Sequence, residues 1–407
     1  MKYDVIIIGG GHGGAQCAAS LRQFGFDGSI ALISAEGVPP YERPPLSKEY
    51  FAGDKSFERI LLRPAAFYAE KRIDLRLGET VVDINPENHS ITTDIGDVYQ
   101  YGKLVWAAGG APRNLPVPGA ALEGVHVVRD KAGVDALISD AKDATRIVVI
   151  GGGYIGLEAA AVLRKAGKTV TVLEAQPRVL ARVAGETLSR FFEEEHRRQG
   201  VNIRLNVQIE AITGDARATG VLLADGEEIA ADLVIVGIGI DPAIGPLRAA
   251  EAACPNGALV DSYCRTSLPD TYAIGDCAAH ENAFAGGAVI RLESVQNAND
   301  QARTVAKHIC GKEEPYAAVP WFWSNQYDLR LQTVGVSAGH DDALLRGDPE
   351  ARSFSVIYLK DGRVIALDSV NAPADYMAGR LLVTKGAAPD ASALCDPATP
   401  LKDLATR

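Results

Sequence analysis

Apolar residues in this chain gather in short unbroken runs that stop abruptly at glycine. Residues 5–8 (Val-Ile-Ile-Ile) lead into Gly9, and residues 147–150 (Ile-Val-Val-Ile) lead into Gly151. Continuous β-branched runs of this length predict strands buried on both faces, as in a parallel sheet, because an edge or half-exposed strand would alternate. Each run is followed by a helical stretch, 15–24 or 157–166, and then by a second apolar strand, 29–34 or 169–173. The pattern is a βαβ unit that occurs twice. Two further runs, 104–106 and 233–236, end in Ala107-Ala108-Gly109-Gly110 and Gly237-Ile238-Gly239, and predict the exits of the two folds. Pro112, Pro116 and Pro118 mark a crossing out of the first fold and Asp241-Pro242 a return to it, so the second fold is inserted in the first. Past about Pro320 the chain changes to short strands with turn signals. Residues 354–359, Asp361-Gly362 and 364–368 predict a hairpin in a separate C-terminal α+β domain.

The glycines add chemistry to this outline. Gly9, Gly11 and Gly14 supply G-x-G-x-x-G between strand and helix, as do Gly151, Gly153 and Gly156. Without side chains there, the backbone can approach a pyrophosphate whose charge faces the positive end of the next helix. Glu36 and Glu174 each stand about 20 residues further on, at the end of the second strand, where a carboxylate accepts hydrogen bonds from a ribose diol. At Glu174 the acid favours NADH, since it would repel a 2′-phosphate, although Arg178 and Arg182 lie close enough in sequence to reach one. The predicted architecture is α/β, with two Rossmann-like dinucleotide-binding domains and a C-terminal α+β domain. Residues 1–112 and 240–319 form the first, 113–239 the second and 320–407 the third. Two nucleotide sites in one chain imply that one cofactor reduces another, and FAD is the natural second cofactor. The strand entering Ile274-Gly275-Asp276 supports this, its acid being placed either to bind a ribityl hydroxyl or to cap the next helix.

A formal charge of −11 supplies no clustered positive field for nucleic acid. The six cysteines, Cys17, Cys254, Cys264, Cys277, Cys310 and Cys395, have no C-x-x-C pairing, so neither a metal site nor a disulfide framework is expected. No apolar stretch approaches the ~20 residues of a membrane span. These features predict a cytoplasmic enzyme with reduced thiols.

Several segments together resemble the pyridine nucleotide–disulfide reductase-like flavoproteins, and within them the NADH-dependent ferredoxin reductases of the putidaredoxin reductase-like group. They are Pro40-Tyr41-Glu42-Arg43-Pro44-Pro45-Leu46-Ser47-Lys48, the 151–158 loop, 266–277, Arg291-Leu292-Glu293-Ser294-Val295-Gln296-Asn297-Ala298, and Pro320-Trp321-Phe322-Trp323-Ser324-Asn325-Gln326-Tyr327. The resemblance covers nearly the whole chain. It implies FAD on Gly9, Gly11, His12, Gly13, Gly14 and Glu36, with Arg43, Lys48, Val81, Ala107, Gly109, Arg129, Asp276, Ser294, Val295 and Trp323 along the cofactor. It implies NADH on Gly151, Gly153, Tyr154, Ile155, Gly156, Glu158, Glu174, Gly237 and Gly239. Lys48, paired with Glu158, is implied as the catalytic cation beside the flavin's reactive edge, where it would stabilise the reduced ring. A helix from Val295 to about His308, capped by Ser294, would aim its N-terminus at the pyrimidine ring. Trp323 would either shield the flavin or fill an interface. One departure is Ala108, where many relatives carry threonine, so a side-chain hydrogen bond at that turn is lost.

The implied reaction is hydride transfer from NADH to FAD, followed by single-electron transfer to an acidic [2Fe-2S] ferredoxin supplying a haem-thiolate (cytochrome P-450 type) monooxygenase or a Rieske dioxygenase. Arg63 and Arg291 match the relatives' docking positions, and Arg330 is added from its place in the sequence. No metal, nucleic acid or membrane is expected as a partner, and the chain is expected as a monomer or weak dimer. A small-acceptor reductase, such as a monodehydroascorbate reductase-like enzyme, and a redox-sensing flavoprotein resembling apoptosis-inducing factor stay open. Thiol-based reduction is disfavoured, since no cysteine stands near 44–48.

Overall fold

The computed structural model describes residues 1–405. Contacts divide the chain into two units: Met1–Arg43, Phe57–Ala111 and Asp241–Phe322 form one, and Pro44–Ser56, Pro112–Ile240 and Trp323–Arg407 the other.

In the first unit the Lys2–Ile8 strand lies between Ile30–Ser34 and Val98–Trp106, parallel to both. Ile73–Leu77 extends the sheet beyond Ile30–Ser34, and Thr271–Ala273 joins Val98–Trp106, again in parallel. The residues from Val5 to Ile8 are all buried, as an unbroken β-branched run requires at the centre of a covered sheet. Val98–Trp106 starts earlier than its apolar run implies. Its first half alternates, with Tyr99 and Tyr101 inside and Val98 and Gln100 outside, and pairs antiparallel with Ser90–Thr93, which continues to Val81–Asn85. The His12–Gln23 helix packs on the sheet and beside the Val295–Ile309 helix, where a Cβ on Gly13 would stand 3.7 Å from the Ala298 methyl.

The second unit repeats the plan. Asn202–Leu205, Thr169–Glu174, Arg146–Ile150, Leu233–Val236 and Val125–Val127 form a parallel sheet in that order. A three-stranded antiparallel meander, Ile209–Thr213, Gly220–Leu223 and Glu228–Ala230, accompanies it. The C-terminal part is a five-stranded sheet ordered Trp321–Gln326, Leu329–Gly335, Arg363–Val370, Ser353–Lys360 and Asp342–Asp348, backed by the Pro373–Lys385 helix. The hairpin read from the sequence is there. Asp361 and Gly362 both take positive φ between antiparallel strands, the geometry a two-residue turn needs to match strand twist. The α/β architecture with an α+β C-terminus agrees with the hydrophobic pattern.

Residues 44–56, which the sequence alone leaves with the first fold, group by contact with the second. Ser47 and Lys48 bond Glu158, Tyr50 bonds Asp135, and Phe51 joins the core that includes Val149 and Leu157. These tethers span more than 80 residues of chain, so no local pattern announces them.

Candidate functional site

Two glycine loops, one in each unit, are built alike. Gly9 has φ +111° and Gly151 φ +105°, values that only glycine adopts readily. A Cβ on Gly9 would overlap the carbonyl oxygen of Ala107, and one on Gly151 that of Gly237, so each loop presses against the exit of its neighbouring strand. Gly14 and Gly156 let the following helix close onto its own loop: a Cβ there would overlap the carbonyl oxygens of Gly9 and Gly151. Gly11 and Gly153, the N-caps of the His12–Gln23 and Tyr154–Lys165 helices, differ. A Cβ on either would meet nothing within 4 Å, and neither helix receives a side-chain cap. Each loop thus presents bare backbone and orphan helix N–H groups to open space, which is what a pyrophosphate requires. FAD and a nicotinamide nucleotide fit these residues.

Glu36 stands two residues past the Ile30–Ser34 strand. Its Oε2 accepts from the Tyr41 hydroxyl at 2.6 Å and its Oε1 from Arg43. Arg43 also donates to the Tyr41 hydroxyl at 2.8 Å and lies 4.5 Å from that ring's centre. Sequence reasoning named Glu36 and Arg43 but missed Tyr41, whose signal was its place in the Pro40–Lys48 segment. His12 opens the helix, and burial, helped by the Arg43 charge, holds its imidazole down at about 4. Val81 is buried at the start of its strand, and Ala107 is buried beside Gly9. Gly109 takes φ +67° just after Ala107. Asp276 lies in the 3-10 turn Gly275–Cys277, so it does not cap the long helix that follows. That helix, Val295–Ile309, is capped by Ser294, whose hydroxyl accepts from the Asn297 amide at 3.1 Å.

In the second unit, Glu174 is bonded into the glycine loop. Its Oε2 accepts from the Gly152 amide at 2.7 Å and its Oε1 from the Gln176 amide at 2.8 Å. Arg178 turns the other way, donating to the carbonyls of Ala184 and Ala181. Arg182 is exposed. Gly237 follows the Leu233–Val236 strand, and Gly239 takes φ +99° with its carbonyl accepting from the Arg113 amide. Tyr154 opens the helix after Gly153, and Ile155 is exposed beside it.

Lys48, Arg129 and Trp323, assigned to FAD by resemblance, belong to this second unit. Lys48 pairs with the buried Glu158 at 2.6 Å. Two partners that the sequence did not single out complete that site: the Ser47 hydroxyl donates to Glu158 Oε2 and the Ser324 hydroxyl to Oε1, each at 2.6 Å. Arg129 directly precedes Asp130, the cap of the Lys131–Ala141 helix. Trp323 is partly buried in the Trp321–Gln326 strand.

The three arginines expected from the sequence to dock a ferredoxin are placed differently. Arg63 is exposed, its guanidinium donating to the adjacent Leu62 carbonyl and lying 5.8 Å from the Phe67 ring centre. Arg330 is exposed on the Leu329–Gly335 strand. Arg291 is not a free surface cation. Only 9% of its side chain is accessible, and it donates to the Asp276 carbonyl at 2.8 Å and pairs with Glu293 at 2.7 Å. It therefore braces the Asp276 turn.

The family model for pyridine nucleotide-disulphide oxidoreductases matches residues 3–302, and that for the reductase C-terminal region matches 321–405. The chain is 59% identical over 404 residues to the 5,5'-dehydrodivanillate O-demethylase ferredoxin reductase subunit of Sphingobium sp., covering 99% of this chain and 98% of that one. It is 39% identical over 417 residues to putidaredoxin reductase of Pseudomonas putida, covering 98% and 96%. Its fold matches the solved covalent putidaredoxin reductase–putidaredoxin complex with a TM-score of 0.96 and 38% identity, across 99% of this chain and 98% of that one.

Proposed function

The chain belongs to the pyridine nucleotide-disulphide oxidoreductase family and is an FAD-dependent ferredoxin reductase, and from that premise we propose that it uses NADH to reduce a [2Fe-2S] ferredoxin serving an oxygenase. The duplicated loop supports this most directly. One polypeptide carries two bare-backbone cradles, each with an acid at the end of its second strand. The sequence of the first relative, named as part of an O-demethylase, favours an oxygenase system at the end of the electron path.

We assign FAD to residues 1–112 and 240–319 and NADH to 113–239. The chemistry that FAD supplies when bound is the conversion of a two-electron hydride from NADH into single electrons for the ferredoxin. Around it the chain's own residues bind and orient. Gly11 and the N-terminus of the His12–Gln23 helix take the pyrophosphate through backbone N–H groups, with His12 neutral at physiological pH. Glu36, held by Tyr41 and Arg43, takes the adenosine ribose. Ser294 fixes the N-terminus of the Val295–Ile309 helix, whose dipole favours the reduced ring's negative charge. Lys48, fixed by Glu158, supplies the compensating cation.

Glu174 decides the nucleotide. Its carboxylate is held in place by two backbone amides and opposes a 2′-phosphate, while Arg178 is committed to its own turn. Thiol chemistry is disfavoured: Cys17, Cys264 and Cys277 are buried, with burial pushing the Cys277 thiol up to about 12, and no cysteine lies in the 44–48 segment. Of the three arginines expected to dock an acidic ferredoxin, Arg63 and Arg330 are the exposed ones. We assign the enzyme to the cytoplasm as a monomer or weak dimer. Among the described residues no helix is long and apolar enough to cross a membrane. Anaerobic mixing of the FAD-loaded protein with NADH or NADPH tests the first half of the reaction. Fast loss of visible flavin absorbance with NADH and slow loss with NADPH is expected, and the reverse order would overturn the assignment of Glu174.

A further inference from the structure

Beyond the Lys48–Glu158 pair, a line of buried polar side chains runs through the second unit. Paired with Lys48, the Glu158 carboxylate is an acceptor on both oxygens, so the Ser324 hydroxyl, 2.6 Å from Oε1, must donate to it. The Ser324 oxygen then accepts from Gln326 Nε2 at 3.2 Å. That turns Gln326 Oε1 toward His196, which meets it through Nε2 at 2.8 Å and must donate. His196 Nδ1 is left as an acceptor for the Tyr327 hydroxyl at 3.0 Å. Ser324 and His196 have no accessible surface, and Gln326 is 1% exposed. Water therefore cannot substitute for any link.

We propose that Ser324 is a positioning residue for the Lys48–Glu158 pair, the last link of a one-way donor chain running from Tyr327 through His196 and Gln326. Each group donates toward the carboxylate, so the bonds polarise one another in the same sense. With Ser47 and Lys48 on Oε2 and Ser324 on Oε1, the carboxylate cannot rotate without leaving a buried group unpaired. The chain orients and does not conduct. The Gln326 amide is too weak an acid and a base to take a proton at Oε1 and release one from Nε2, so no proton travels from His196 to Glu158 along it. Three segments far apart in sequence, 47–48, 158 and 324–327, are thereby locked to one geometry at one side chain.

This rests on the assignment of Lys48 as the cation serving the flavin, and the experiment separates the two. In the FAD-loaded enzyme, Ser324→Ala is expected to slow NADH-driven bleaching about tenfold with unchanged NADH affinity. The same substitution in a Glu158→Gln background is expected to add less than about twofold, because its effect passes through that carboxylate. Normal bleaching in Ser324→Ala with slow bleaching in Lys48→Ala would overturn the role of Ser324 alone. Normal bleaching in Lys48→Ala would overturn both. Full additivity with Glu158→Gln would show mere packing and also overturn it. A readout free of catalysis and of any variant is nitrogen NMR of His196 in the native protein. The Nε2–H tautomer is expected, and an Nδ1–H tautomer would reverse the chain and refute it.

Discussion

The Gly152 amide donates to Glu174 at 2.7 Å, so the acid proposed to select the nucleotide is also a strut of the glycine loop. Glu174→Ala removes both. The KM for NADH is expected to rise about tenfold with kcat little changed, and the preference over NADPH to narrow, since the lost interaction serves binding and not the hydride step. Steady-state ferricyanide reduction with each nucleotide measures it. An unchanged NADH to NADPH ratio of kcat/KM would place selection elsewhere.

Gly11 and Gly14 differ in what surrounds them, and alanine should separate them. At Gly14 a Cβ collides with the Gly9 backbone, so Gly14→Ala is expected to destabilise the protein by ~1–3 kcal/mol even without cofactor. At Gly11 the space is open, so Gly11→Ala should fold normally yet hold FAD more weakly. Thermal unfolding with and without FAD, together with flavin content after gel filtration, distinguishes the two.

Asp368 is buried in the C-terminal sheet, where Tyr358 donates to it at 2.8 Å, and burial raises its carboxyl from 3.8 to about 7. A carboxyl whose pKa is raised in the folded protein binds its proton more tightly there than in the unfolded chain. Its contribution is complete below about pH 4 and is lost as pH rises toward 7. Native protein should therefore lose stability relative to Asp368→Asn across that window, by an amount approaching ~3 kcal/mol. His196 works in the opposite sense. Burial lowers its pKa to about 4, so the stability it gives is present above 6.5 and is lost as pH falls. Taking the difference between native and Asp368→Asn urea midpoints at each pH cancels the histidine's share. A flat difference would contradict the raised carboxyl.

Charge reversal should separate the arginines. Arg63→Glu is expected to raise the KM for ferredoxin several-fold, to weaken its salt dependence, and to leave ferricyanide turnover intact, as befits an exposed steering cation. Arg291→Glu should reduce flavin content as well, because it removes the brace under the Asp276 carbonyl and leaves Glu293 facing a like charge. Equal effects of both on ferredoxin alone would contradict the burial of Arg291.

What the sequence made legible was local. Two strand–glycine–helix units, the hairpin at Asp361-Gly362 and the cap at Ser294 each depend on residues within a few positions, and the structure has them all. The first half of Val98–Trp106 was hidden because its alternation mixes tyrosines with Val98 and Gln100, and no unbroken run marks it. The tether of residues 44–56 and the bond from Ser324 to Glu158 depend on side chains that meet only after folding, across 111 and 166 positions. A serine between Trp323 and Asn325 carries no pattern to announce that role. Arg291 shows the converse: its place in a motif pointed to docking, while its burial ties it to Asp276.

The central claim is that electrons leave this enzyme through a ferredoxin. NADH-driven cytochrome c reduction by the FAD-loaded protein, with and without a [2Fe-2S] ferredoxin and at low and high salt, tests it most directly. Reduction is expected to depend on the ferredoxin, to saturate with it and to weaken at high salt. Equal cytochrome reduction with and without every ferredoxin tried, alongside fast NADH oxidation by a small acceptor, would contradict the account.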